Sequence, residues 1–280
     1  MGEVLAAADD TDWRAVEDNN LVVMRIGERD VVIELAPRFA PKHVENIRTL
    51  INQSYFDGLA VVRSQDNYVA QWGDPAAGGD EERTLGDASP TLDGEFFQAA
   101  DGFDVTPLND KDAYADTVGF VDAFPVGSDG KRIWLAHCYG MVGVGRGNEA
   151  NSGNGSSLYV VTGHAPRHLD RNVTLVGRVL EGIDALSSLP RGTGPLGFFE
   201  SEDQAIPIAS VRLASELPAA ERPSWQRLRS DTATFAALVE SRRTRHEGWF
   251  LDKVGRIELC NVPLPARAVP QEEAPTRATD

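Results

Sequence analysis

The residues with the most evident chemistry are Arg63 and Gln71, a fixed planar cation and a primary amide eight positions apart. They belong to the run Val61-Val62-Arg63-Ser64-Gln65-Asp66-Asn67-Tyr68-Val69-Ala70-Gln71-Trp72-Gly73-Asp74, in which Tyr68 and Val69 supply apolar surface between them. In a strand, residues an even number apart point to one face. A fully extended chain would hold the two groups roughly 26 Å apart, too far to share a substrate atom. The polar Gln65-Asp66-Asn67 segment is therefore expected to turn or bulge and bring the guanidinium back to the amide. The set contains no nucleophile and no general base, so it suits recognition of a neutral peptide better than bond cleavage. Taken alone, Arg63 reads as a surface ion-pair partner of Asp66 or Asp74, and Gln71 equally as a strand-surface amide or a ligand contact.

The elements that must position these groups follow from hydrophobic period and turn chemistry. Residues 21–26 and 31–35 are short β-branched runs joined by Gly27-Glu28-Arg29-Asp30, the pattern of a hairpin. Pro41 opens a helix at a tolerated first-turn position, and Val44, Ile47, Leu50 and Ile51 form its apolar stripe until 54–58 ends it. Strands are expected at 59–62, 68–72, 139–144, 158–162, 173–179 and 206–213, with a short helix over 182–189. Residues 75–133 form a long acidic insertion, weakly periodic and punctuated by Gly and Pro, with a hairpin at Ser128-Asp129-Gly130-Lys131. The domain organisation predicted is a mobile tail over 1–18, a main domain over 19–214 and an extension over 215–280. In the extension, Trp225, Leu228, Phe235, Leu238 and Val239 have helical spacing, 255–260 suits a strand, and a tail begins at Pro263.

Composition excludes several classes of function. The chain has 280 residues, 41% of them hydrophobic, and a formal net charge of −16. That charge argues against non-specific binding to nucleic acid or anionic lipid, and no apolar run is long enough to span a bilayer. Arg242-Arg243-Thr244-Arg245 is read as the cationic last turn of a helix. His164 and His168 have a helical metal-ligand spacing, but Pro166 between them argues for a loop, and no metal is expected. Gly143-Val144-Gly145-Arg146-Gly147 is a weak phosphate-loop signal, because Asn148 replaces the third glycine and no helix follows. Cys138 and Cys260 are open to two readings, a pair of buried thiols or one disulfide formed in an oxidising compartment. Leu5-Ala6-Ala7-Ala8 before Asp9-Asp10 resembles the small-residue end of a signal peptide, which favours a periplasmic location over the alternative, cytoplasmic.

With these segments in order, residues 20–214 resemble the cyclophilin family of peptidyl-prolyl cis–trans isomerases. Val31-Val32-Ile33-Glu34-Leu35-Ala36-Pro37 and Val44-Glu45-Asn46-Ile47 are similar to its opening strands and helix. Tyr55-Phe56-Asp57-Gly58-Leu59, Val61-Val62-Arg63 and Val69-Ala70-Gln71-Trp72-Gly73-Asp74-Pro75 are similar to its arginine and glutamine strands. Asn154-Gly155-Ser156-Ser157-Leu158-Tyr159 and His168-Leu169-Asp170 with 175–182 complete the match. The resemblance implies a mainly β fold, a closed antiparallel eight-stranded barrel with two covering helices, to which a helical C-terminal extension is added. It implies an isomerase that assists folding by accelerating X–Pro rotation in proline-containing polypeptides, without a cofactor, with a monomer favoured. The alternative is a catalytically weak chaperone or scaffold that binds proline segments. Arg63 and Gln71 take the catalytic positions. Tyr68, Val69, Tyr159 and Leu169 take the proline pocket, with Gly145, Arg146 and His168 at the substrate groove. The chain departs from the family at Val61-Val62, where Phe-His is usual, at Ser157-Leu158-Tyr159, at His168, at Val173 in place of a rim histidine, and across its Gly-rich loop.

Overall fold

The computed structural model describes residues 1–270. The opening β-branched runs pair as a hairpin of β1 (Leu21–Ile26) and β2 (Arg29–Leu35). Its turn is shorter than the sequence suggests because Arg29 and Asp30 join the ladder, and the Asp30 carboxylate accepts from Arg25 Nη2 at 2.8 Å. Six further strands follow: β3 (Ala60–Ser64), β4 (Val69–Gly73), β5 (Met141–Val144), β6 (Leu158–Val161), β7 (Leu175–Glu181) and β8 (Ile206–Leu213). They close a barrel in the order β5-β6-β4-β3-β8-β1-β2-β7, with β7 returning to β5 and every neighbour antiparallel. The expected fold class is the one observed.

Strand alternation sends Val22, Met24, Ile33, Leu35, Trp72 and Val142 inward, where the cavity they line is only about 20 Å³. A substrate must therefore sit on the outer wall. Helix α1 (Pro41–Asn52) buries its Val44, Ile47, Leu50 and Ile51 stripe against the barrel. Helix α2 (Ile183–Ser187) is shorter than expected at its C-terminal end. Among the described residues no helix is long and apolar enough to cross a membrane.

The insertion is more ordered than its sequence suggests. It forms a five-stranded antiparallel sheet in the order 98–99, 132–135, 124–128, 117–121, 106–108, with the hairpin turn at 129–131 in the expected place. The period is lost because Gly119, Phe120 and Val121 are all buried, and because Pro125 and Gly127 interrupt the next strand. Its apolar face shares a core with Phe39 and with Phe235 and Leu238 of α3 (Ala233–Thr244). Arg243, in the last turn of α3, binds Asp110 of the insertion at 2.9 Å.

The chain ends also differ from expectation. Trp225–Leu228 is a strand, not the start of a helix, and takes Trp13–Ala15 on one side and Ala266–Ala268 on the other. Residues 1–18 thus carry a paired strand and a short helix, Gly2–Ala6, whose Val4 and Leu5 pack on the second core. Residues 255–258 form no strand, and 259–261 make a single 3₁₀ turn. The part of the expected tail after residue 270 lies outside the described residues.

Cys138 and Cys260 are joined by a disulfide across a sequence separation of 122, fastening the extension to the main domain. Closing so long a loop stabilises a fold by roughly 2–4 kcal/mol. Reduction, or Cys260→Ser, is expected to lower Tm by roughly 5–10 °C. Scanning calorimetry with and without reductant checks this, and identical traces would show that the cross-link is absent in solution.

Candidate active site

The outer wall of β3, β4, β5 and β6 carries the site. On β4, Ala70 and Trp72 point into the barrel, so Val69 and Gln71 point out; on β6, Leu158 and Val160 point in, so Tyr159 and Val161 point out. β3 needs an extra device. Val61 lies in the barrel core, and in an unbroken strand Arg63 would share its face. A bulge at this point pairs Val61 with Trp72 and Arg63 with Gln71, so that one extra residue turns Arg63 to the outside. The polar segment after it makes the expected turn, with Asn67 at φ 51°.

Arg63 and Gln71 are thereby cross-strand neighbours. Arg63 Nη1 donates to Gln71 Oε1 at 3.1 Å, Nε donates to the Leu196 carbonyl at 2.7 Å, and Nη2 donates to Gln65 Oε1. The guanidinium lies between the rings of Tyr68 and Phe198, 5.5 and 5.3 Å from their centroids. Its three acceptors are neutral, and among the described residues no carboxylate pairs with it. Asp66 is taken by Arg191 at 3.2 Å, and Asp74 accepts from the backbone of Ala76 and Arg83, which removes the surface ion-pair reading. Burial lowers the Arg63 pKa from its ordinary value, yet an arginine so placed stays charged at neutral pH.

Beside the guanidinium opens a cavity of about 390 Å³. Tyr68, Val69, Tyr159, Leu169 and Val173 supply its apolar walls, Gln71, Gly145 and Arg146 its polar side, and Leu196 and Phe198 the end beside Arg63. The structure brings together every site residue expected from the sequence except His168. The 3₁₀ turn over 167–169 sends Leu169 to the cavity and leaves His168 outside it, parallel to the Tyr68 ring at 6.4 Å. Gln71 Nε2 donates to Ser157 Oγ at 3.0 Å, which leaves its second N–H available to a substrate carbonyl. Arg146 is held to its own loop and to the Asn172 carbonyl, at 2.9 Å. Gly143 is required by close approach, since a Cβ there would lie 2.4 Å from the Tyr159 ring. Leu196 and Phe198 were not anticipated; their only signal is the apolar pair within Gly194-Pro195-Leu196-Gly197-Phe198.

Behind the pocket lies a buried polar chain also missed in the sequence. Tyr159 Oη donates to His137 Nε2 at 2.8 Å, and His137 Nδ1 donates to Asp170 Oδ1 at 2.9 Å. Asp170 Oδ2 accepts from Arg167 Nε at 2.6 Å, and Arg167 forks onto Asp112 of the insertion at 2.9 and 3.1 Å. Burial lowers the His137 pKa, favouring the neutral ring, and the Asp170 carboxylate, which can only accept, sets this tautomer. Burial works against the Asp170 carboxylate too, but its hydrogen bond to His137 and the Arg167 charge hold its pKa below the ordinary value. A histidine that binds its proton more weakly folded than unfolded destabilises the fold on acidification. That contribution is fully present above the unfolded value of about 6.5 and is lost as pH falls below it. Tm is therefore expected to fall from about pH 6.5 downward, and less steeply in His137→Phe. Equal slopes in the two proteins would contradict the assignment.

A closed barrel with an uncompensated guanidinium over an apolar pocket suits an enzyme class that acts on conformation and not on covalent bonds. Residues 21–213 match the family described as cyclophilin type peptidyl-prolyl cis-trans isomerase/CLD. A probable peptidyl-prolyl cis-trans isomerase of Brucella suis is 27% identical over 192 residues, which cover 69% of this chain and 79% of that protein. The crystal structure of the cyclophilin AquaCyp293 from Hirschia baltica aligns over 98% of both chains, with a TM-score of 0.74 and 29% identity. The chain belongs to the cyclophilin-type family and is a peptidyl-prolyl cis–trans isomerase.

Proposed function

We propose that this isomerase acts on proline-containing polypeptides, with Arg63 as the catalytic guanidinium and Gln71 as the group that orients the substrate backbone. Rotation about an X–Pro bond is opposed by partial double-bond character, with a barrier of ~18–20 kcal/mol. Twisting the bond localises the lone pair on the proline nitrogen. A guanidinium N–H aimed there binds the twisted amide better than either planar isomer, which is the condition for acceleration. Three of the five Arg63 N–H groups are held by the protein, so two remain for substrate. Tyr68, Val69, Tyr159 and Leu169 grip the ring and exclude water, which strengthens that hydrogen bond.

The observation that carries this reading is a half-buried cation with neutral partners only, at the mouth of an apolar pocket. Exchange spectroscopy by NMR on proline tetrapeptides tests it. Catalysed exchange supports the reading, whereas saturable binding without acceleration favours a scaffold that only holds proline segments. The groove is complete within one chain, which supports action as a monomer. The Cys138–Cys260 disulfide supports an oxidising compartment such as the periplasm. Alkylation and mass spectrometry of protein taken from cells checks this, and two free thiols would place it elsewhere.

A further inference from the structure

We propose that the 191–199 loop is the specificity arm of the active site, and that Leu196 and Phe198 select an aliphatic or aromatic residue flanking the substrate proline. The inference rests on the assignment of Arg63 as the catalytic group.

The loop is built against the site. Gly192 N donates to the Ser64 carbonyl at 2.9 Å and Phe199 N to the Val62 carbonyl at 3.0 Å, so both ends pair with β3 on either side of Arg63. Between them Arg63 and Phe198 form an isolated bridge, and the Leu196 carbonyl takes Arg63 Nε. Arg191 anchors the base through Asp66 and the carbonyls of Ser187 and Leu189. Gly197, at φ 79°, approaches Gln65 so closely that a Cβ would lie 2.7 Å from its Cα. The backbone is thus fixed while two large apolar side chains remain open, Leu196 68% and Phe198 38% exposed.

Both residues line the cavity beside Arg63. At the opposite end, past Gln71 and Gly145, the groove widens into a basin of about 670 Å³ bounded by Glu82, Arg83, Ser152 and Asn154. One end of the groove is apolar and the other polar. A peptide lying along it presents one flanking side chain to Phe198 and Leu196. An apolar side chain there removes their surface from water, whereas a cationic one loses hydration beside the uncompensated Arg63 guanidinium. Contacts of this size discriminate by about ten-fold.

Exchange rates measured by NMR on two peptide series, varying the residue before and after proline through Phe, Leu, Ala, Glu and Lys, test the proposal. At one flank, Phe and Leu are expected to exceed Lys by about ten-fold in kcat/KM. Phe198→Glu is expected to turn preference at that same flank toward Lys, and Phe198→Ala to bring the ratio close to one. The alanine variant carries the test if the charged one does not fold. Absence of an apolar preference at either flank of the wild type overturns the proposal, as does a wild-type preference retained in both folded variants. A uniform loss on all peptides also overturns it, since it would show that Phe198 only supports Arg63. The Arg63 assignment itself fails separately, if Arg63→Ala isomerises every peptide normally.

Discussion

Replacing Arg63 with alanine lowers kcat/KM for proline peptides by about 10²–10³, the loss expected when one preorganised donor is removed from a desolvated site. The protein holds this guanidinium with the Leu196 carbonyl and two side-chain amides, none of which cancels its charge. The alanine variant keeps the pocket, so peptide binding persists while the twisted amide loses its partner. Arg63→Lys recovers little, because an ammonium keeps the charge but cannot make three fixed contacts and still present a donor to substrate. Parallel rate and binding measurements separate these effects. Activity within two-fold of wild type in a folded Arg63→Ala protein would remove the mechanism.

The second large effect is on stability. Asp170→Ala removes the carboxylate that joins His137 to Arg167, leaving a buried guanidinium with half its partners and an imidazole N–H with none. Breaking a buried charged pair from one side costs roughly 3–5 kcal/mol, or on the order of ten degrees in Tm. Asp170→Asn is milder, since the amide oxygen can still accept from one neighbour. Thermal melts of the two variants check the ranking, and an alanine variant as stable as wild type would show that the chain of hydrogen bonds carries no load. Asp112 lies in the insertion and Tyr159 in the pocket wall, so the insertion is connected to the site through this chain.

What was legible in the sequence follows local pattern. The barrel strands were readable because one face is packed and β-branched residues alternate, and α1 because its stripe recurs at helical spacing. The pairing of Arg63 with Gln71 was anticipated from the polar turn between them. The bulge that aims Arg63 was not, because Val61-Val62 looks the same whether the strand is regular or bulged. The 191–199 arm was missed because its contacts with β3 are long-range and its composition reads as loop. Trp225 was misread for the same reason: its strand exists only through partners from residues 13–15 and 266–268. The position of His168 depended on a 3₁₀ turn that no local period announces.

That three-stranded sheet sets a condition on biosynthesis. Its middle strand, 225–228, needs one neighbour, 13–15, synthesised long before it and another, 266–268, synthesised after it. The β1–β2 hairpin can form as soon as it leaves the ribosome, but Trp13 must wait for more than two hundred further residues. Closure of this sheet therefore follows synthesis of the whole barrel, and residues 13–15 stay unpaired in the nascent chain until 225–228 emerge.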